Sequence, residues 1–461
     1  MNPTIATVID VVGIAGLFFL DRDRNVHTSK ALWIPVIWFL ILGSRPVSLW
    51  SSKSQTVSLQ RFTEGSPADA ALFSLLIIAG VLALNMRTEQ VKKVLQDNLP
   101  IVLFFAYCAL SIAWSDYPFV GLKRWIKAIG DLVMILVVLT DRNPEAAVKR
   151  LFSRAAFLLL PLSLLLVKYY PSLGREYTAQ GVPLYMGVTT SKNLLGMTCL
   201  VCGLGVLWSF IERWQEGDAP RRVQHLVALG LILLLAVWLI RTADSMTSLS
   251  CLLSAGALMV LSSQKWVVRR RGYLHALIAG AVGISFFAVF IDTVGTLVHS
   301  LGRDTTLTGR TQIWKAVLSM GTNPLLGTGF ENFWLGDRLQ TIWDMTEKGI
   351  QEAHNGYLEI YINLGWVGLL LLGTIIVTGY RSALASFSHE PRAAALRAAF
   401  ITAGLIYSLT EAGFRMLCPI WMMFLLTNTV SPISSPDKVL QPVLPANANR
   451  FVPKRSMRIL Q

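Results

Sequence analysis

The 461-residue sequence predicts an all-α, polytopic integral membrane protein with about 12–13 transmembrane helices and one long loop late in the chain. Two compositional facts and one pattern carry that prediction. Hydrophobic residues make up 53% of the chain, and charged residues only 15%, against roughly 25% in soluble proteins. Mean hydropathy is +0.53. Apolar runs recur from residue 5 to residue 430, too many and too long for the helices of a soluble core. The length would suffice for two or three soluble domains, but the charge deficit excludes them.

The spans read, in order, as 4–20, 31–49, 68–85, 99–115, 125–140, 151–169, 193–211, 226–240, 245–262, 273–292, 357–380, 397–411 and 415–430. The stretch 226–262 reads as a tight helical pair broken at Arg241-Thr242-Ala243-Asp244. Basic residues cluster in every second connection: Arg22, Arg24 and Lys30; Arg87, Lys92 and Lys93; Arg142, Lys149 and Arg150; Arg213, Arg221 and Arg222; Lys265 and Arg269–Arg271; Arg381 and Arg392. Positive charge marks the cytoplasmic side, so the N-terminus lies outside and the tail inside. The first run has neither a basic n-region nor a small-residue cleavage site, so it reads as a span rather than a removable signal.

The net charge of +14 would suggest a nucleic-acid partner in a soluble protein. Here it reads as topology signal and contact with anionic lipid, with no nucleic acid implied. Four of the five cysteines (Cys108, Cys199, Cys202, Cys251) fall in apolar runs. The Cys199/Cys202 pair lacks the partners of a metal site, and no disulfide is expected. The chain therefore divides into N-terminal helices (1–292), a long outer loop (293–356), C-terminal helices (357–430) and a basic, loose cytoplasmic tail (431–461). The loop is rich in Trp, Phe, Arg and Gly, with amphipathic segments near 310–320 and 331–343. That composition argues against disorder, and loops of such length are commonly functional.

Three motifs fall in that loop: Thr308-Gly309-Arg310-Thr311-Gln312-Ile313-Trp314, Asn323-Pro324-Leu325-Leu326-Gly327-Thr328-Gly329-Phe330 and His354-Asn355-Gly356-Tyr357-Leu358-Glu359. The second is a Pro/Gly turn without the Lys-Ser/Thr ending of a P-loop. Asn355 is placed to cap the following helix. His354 would then stand beside a helix N-terminus, whose dipole keeps the imidazole neutral and suited to general-base work. A capping His at the membrane surface is the plainer alternative. Arg310 reads either as a clamp on a diphosphate or as an interfacial partner of lipid phosphate. Arg241, at the outer end of a span, reads equally as functional or as snorkelling. Arg175 and Lys192 are weaker cationic candidates, and Glu331 and Glu352 are rival bases. Trp314, Phe330, Phe333, Trp334 and Trp343 offer flat faces for sugar rings, or else an interfacial belt. Asp21-Arg22-Asp23 resembles a metal-binding DxD, but it falls on the inner side, away from the other candidates.

In this order the motifs resemble the O-antigen ligase/polymerase superfamily, and in particular its exopolysaccharide-production polymerases. The resemblance runs over residues 304–368, from Asp304 through Leu364-Gly365-Trp366-Val367-Gly368. Trp114-Ser115 and Ser191-Lys192-Asn193-Leu194-Leu195-Gly196 support it. It implies a GT-C-like inner-membrane enzyme of the bacterial cell, without metal or other cofactor, whose site faces the periplasm. The implied donor is an undecaprenyl-diphosphate-linked glycan. The implied acceptor is a second lipid-linked glycan for a polymerase, or the lipid A core for a ligase. A chain-length regulator and a flippase are the accompanying partners such a system would use. The family's functional His falls on His354 and its Gly-Arg arginine on Arg310. Its upstream Ser-Arg-Thr falls on Ser245-Met246-Thr247, which leaves Arg241 to take the missing arginine's part.

The non-enzyme alternative is a polysaccharide or lipid transporter. Transporters place their sites at the bilayer midplane within repeated halves. No repeat is visible here, and few ionisable residues fall mid-span (Asp10, Lys127, Asp131, Asp292). A protease reading lacks both His-Glu-x-x-His and Gly-x-Ser-x-Gly.

Overall fold

The computed structural model describes residues 1–22, 27–51, 65–178, 180–217, 221–264, 271–290, 307–346 and 348–430. The tail, Asp23, Arg24, Lys265, Arg269, Arg270, Asp292 and the Asp304-Thr305-Thr306 start of the resembling stretch lie outside the described residues.

Every expected span contains a helix. Apart from the one-turn helix Val47–Ser51, the first six helices are α1 (Pro3–Leu20), α2 (Trp33–Leu42), α3 (Pro67–Asn85), α4 (Thr88–Asp97), α5 (Leu99–Leu110) and α6 (Pro118–Leu139). Next come α7 (Pro144–Tyr169), α8 (Lys192–Gln215), α9 (Arg222–Thr242), α10 (Met246–Ser262) and α11 (Arg271–Phe290). The loop contributes α12 (Leu307–Ser319) and α13 (Gly336–Met345), followed by α14 (Gly356–Ser386), α15 (Pro391–Thr410) and α16 (Pro419–Asn428). Many of these helices carry Pro in the first turn, where its missing N–H has no intrahelical partner to lose. Among the described residues, seven helices are long and apolar enough to cross a membrane alone. A two-stranded hairpin, β1 (Arg175–Tyr177) against β2 (Pro183–Tyr185), lies between α7 and α8.

Three boundaries differ from the sequence expectation. α2 stops at Leu42 rather than near 49, because Gly43 caps it and Pro46 bars the residues before it from helix. α6 starts at Pro118 rather than 125, taking Lys123 and Arg124 into the helix. The basic connection Arg87–Lys93 is itself helical: α4 meets α5 at 88°. Amphipathic and carrying Lys92 and Lys93, α4 has the character of a helix lying in the interface plane.

The contacts sort the connections into two ends, as the Lys/Arg count requires. At one end His225 reaches Asp21, Arg87 reaches Asp141, Lys149 reaches Glu212 and Trp208 reaches the Arg392 carbonyl. At the other, Thr7 meets Tyr170, Asn193 meets Glu411 and Arg415 meets Glu331. No pair in either set joins an inner connection to an outer one. Between the ends, α15 is central, with 83% of its apolar stretch buried. α1 stands at the rim with 6% buried, a face suited to lipid.

The outer loop folds around a core of its own: Phe333, Trp334, Leu339 and Ile342 pack with Ile313, Val317 and Ile362. Its Asn323–Phe330 turn is wedged into a break in α14. Gly365 there has φ 64 and ψ −164, a combination essentially reserved to glycine. The freed backbone groups are taken up by the turn, with Trp366 N–H donating to the Pro324 carbonyl at 2.9 Å and Gly329 N–H to the Asn363 carbonyl at 2.9 Å. A Cβ on Gly365 would lie 2.2 Å from the Leu325 oxygen. Gly365→Ala is therefore expected to cost about 2 kcal/mol or more, read as a lowered thermal midpoint of the purified protein in detergent. An unchanged midpoint would show that the wedge can yield.

Candidate active site

The first and third loop motifs meet at one end of the bundle, on a residue that neither contains. Glu411 follows the last turn of α15 and is buried. Its Oε1 accepts a hydrogen bond from Arg310 Nη2 at 2.7 Å, and its Oε2 lies 3.1 Å from His354 Nδ1. Asn193 Nδ2, in the first turn of α8, is 3.3 Å from both oxygens. One carboxylate thus joins the Gly-Arg motif, the His-Asn-Gly motif and the start of α8.

His354 is held from both sides. Asn355 caps α14, accepting from Tyr357 N–H and Leu358 N–H at 3.0 Å each. Before it, the Trp314 indole donates to the Ala353 carbonyl at 2.7 Å. Between these anchors His354 adopts φ 48, a left-handed conformation uncommon outside glycine. Strain of this kind concentrates at functional sites. Nδ1 also faces Glu352 Oε1 at 3.1 Å, so Nε2 is the nitrogen turned away from both carboxylates. Burial lowers the imidazole pKa, but the Glu411 hydrogen bond and the Glu352 and Glu411 charges outweigh both burial and Arg310. The net shift is upward from 6.5. The helix terminus considered in the sequence favours the neutral ring, and the two facing carboxylates pull the other way.

A second ionic layer lies beside the first. Arg415 donates Nε–H to Glu331 Oε2 at 3.1 Å and Nη1–H to the Gln351 carbonyl at 3.1 Å. It stands 3.9 Å from Glu352. Burial alone would lower its pKa, but Glu331, Glu359 and Glu352 raise it, so it is a fixed charge. Arg124 reaches the Glu331 carbonyl. From the opposite side, the buried Asp131 accepts from Leu417 N–H at 3.1 Å and from the Trp38 indole at 2.8 Å. That contact ties the 411–418 connection to α6 and α2.

The arrangement corrects several sequence assignments. Glu331 is buried at 6% exposure and spent on Arg415, so it is support rather than a substrate contact. Trp334 is buried at 3% and donates to both oxygens of Glu359, at 3.1 and 3.0 Å; it belongs to the loop core and offers no face to a sugar. Trp314 is half-buried, and its N–H anchors the backbone beside His354. Arg175 donates to the Val167 carbonyl at 2.8 Å and stacks on Tyr185, which makes it part of the hairpin. Lys192 sits beside Asn193, the residue that does reach Glu411. Arg241 is exposed at the end of α9, and among the described residues no hydrogen bond or ion pair joins it to the cluster. Near it, Thr247 meets Thr410, next to Glu411, at 2.9 Å, while Met246 is exposed.

Glu352, His354 and Glu411 could together offer three ligand atoms to a cation, all within 4.8 Å of one another. The Arg310 guanidinium on Glu411 opposes this: it already neutralises the carboxylate a metal would need. Glu411 and Arg415 escaped the sequence reading, and Asn193 entered it only within the Ser191–Gly196 motif. The available signal was an acid and a base four residues apart in the short connection before α16.

Fold and site together define a polytopic helical membrane protein with a His/Arg/Glu cluster at one end of its bundle. In sequence, residues 230–373 match the family model described as O-antigen ligase, a stretch that contains Arg310, the turn and His354. The chain is also similar to the exopolysaccharide production protein ExoQ of Rhizobium meliloti (strain 1021). They are 23% identical over 349 residues, 73% of this chain and 77% of the relative. The resemblance to the O-antigen ligase/polymerase superfamily, read from motifs in 304–368, thus extends well beyond them.

Proposed function

We propose that the chain is a glycosyltransferase of the periplasmic face that polymerises undecaprenyl-diphosphate-linked oligosaccharide repeats and releases undecaprenyl diphosphate. The observation that carries this reading is the joining of His354 and Arg310 through Glu411. An imidazole and a guanidinium held side by side at one end of a membrane bundle support a base next to a diphosphate-binding cation. The similarity to an exopolysaccharide production protein over most of the chain favours polymerisation.

In this mechanism an acceptor hydroxyl attacks C1 of the donor sugar. The new O–C1 bond forms as the bond from C1 to the diphosphate oxygen breaks, and the hydroxyl proton passes to His354 Nε2. Glu411 fixes the ring through Nδ1 and stabilises the imidazolium that forms. Such general-base assistance contributes about 10²–10⁴-fold. Arg310 spends Nη2 on Glu411, which leaves Nε and Nη1 to meet charge growing on the leaving diphosphate, where a preorganised donor is worth about 3 kcal/mol. In-line attack inverts the anomeric centre. Neither step draws on a metal.

The O-antigen ligase match supports a second reading, transfer to the lipid A core. Purified protein with one lipid-linked repeat unit and EDTA separates the two. A ladder of lipid-linked oligomers is the expected product; transfer only after lipid A core is supplied would establish a ligase instead. If correctly folded protein modifies neither acceptor, the enzyme reading fails and a transporter takes its place.

A further inference from the structure

A cavity of about 740 Å³ opens at the outer end of the bundle between α2, α3, α6 and the start of α8. It lies in the size range of small-ligand pockets. Two of its wall residues come from segments that also build the catalytic cluster: Leu194 follows Asn193, and Leu417 lies two residues beyond Arg415. The cavity therefore adjoins the cluster.

Its ionisable lining is balanced, with Arg45 and Lys127 against Asp69 and Glu176. Arg45 is spent inside the wall, on the carbonyls of Leu173, Gly187 and Thr189. Asp69 holds the backbone and hydroxyl of Ser48. Lys127 is different: its ammonium stands 5.6 Å from the centre of the Phe73 ring, and among the described residues it has no hydrogen bond or ion pair. A cation, carboxylates, Ser and Thr hydroxyls and the Phe73 ring stand among apolar residues, a lining that mixes donors with acceptors. A diphosphate needs a surplus of positive charge, which this lining lacks and the Arg310 side supplies. A chain of sugar hydroxyls needs the mixture.

Resting on the reaction proposed above, we infer that this cavity is the binding site for the acceptor glycan, with Lys127 as its free donor. The glycan runs from the cavity past Leu194 and Leu417, so that its terminal hydroxyl reaches His354 while the donor diphosphate lies at Arg310.

The test uses full-length protein in detergent and a fluorescent, lipid-free oligosaccharide repeat cut from the polysaccharide of the source strain. Lys127→Met keeps the alkyl stem over Phe73. Thr190→Trp fills the rim from an exposed position, so neither variant threatens the fold. Losing a charged hydrogen bond should weaken binding, read by anisotropy, by about 10-fold. In turnover both variants should raise the acceptor KM by a similar factor and leave the donor KM unchanged. Oligosaccharide binding that is tight in wild type and equal in both variants would overturn the cavity assignment, whatever the turnover. Binding lost in the variants, with no transfer by wild type, would uphold the glycan site and sink the polymerase reading instead.

Discussion

Replacing Glu411 with alanine is expected to lower kcat about 10³-fold in the ladder assay, because one carboxylate orients both reactive groups. Its loss frees the Nδ1 side of His354 and releases Arg310 from its 2.7 Å contact. Removing an orienting carboxylate or an oxyanion-hole donor each costs orders of magnitude in serine proteases. Glu411→Gln should recover little, since an amide presents one acceptor and one donor to two groups that both donate. The sharper expectation concerns additivity. Residues acting as a unit are strongly non-additive, so Glu411→Ala combined with His354→Ala should be scarcely worse than His354→Ala alone. Losses that multiply in the double variant would mean that Glu411 acts independently of the histidine. A near-wild-type Glu411→Ala would remove the cluster from the mechanism.

Why Glu411 was invisible in the sequence while His354 was not is a matter of distance along the chain. The helices were legible because membrane helices must satisfy their backbone internally, so apolar run length reveals them, although among the described residues only seven are long enough to cross alone. The contacts of Asn193, Glu411 and Arg415 share one end of the bundle, as a chain that alternates ends from helix to helix requires. Arg310 and His354 were marked by unusual neighbours in a polar loop. Glu411 and Arg415 sit in a short connection between two apolar runs, where composition expects charge anyway. Their meaning comes from α8, α12 and α14 packing around them, contacts spanning 57 to 218 residues. The aromatics failed in the opposite sense. Trp334 and Phe333 were conspicuous as surface residues because nothing in the sequence shows that 307–353 closes over a core of its own. Gly365 hid inside an apolar run, and only the wedge of the Asn323–Phe330 turn shows why a helix of that length must break there.

The His354 environment gives the remaining large effect and its pH dependence. His354→Ala should reduce kcat by about 10³–10⁴-fold at neutral pH, the full share of a general base. In wild type the base works only when deprotonated. Its pKa is raised above 6.5 by the facing carboxylates, so kcat/KM should climb with pH through an apparent value above 6.5 and level off on the alkaline side. Glu352 contributes to that rise from 3.1 Å without holding Arg310. Glu352→Gln should therefore move the acidic limb to lower pH and leave the alkaline plateau close to wild type. The variant would then outperform wild type below the limb, an outcome that general damage to the fold cannot produce. A limb that stays in place in Glu352→Gln would assign the titration to another group. A profile falling with rising pH would mean that the imidazolium is the working form, with His354 binding the diphosphate beside Arg310 and the proton leaving by another route.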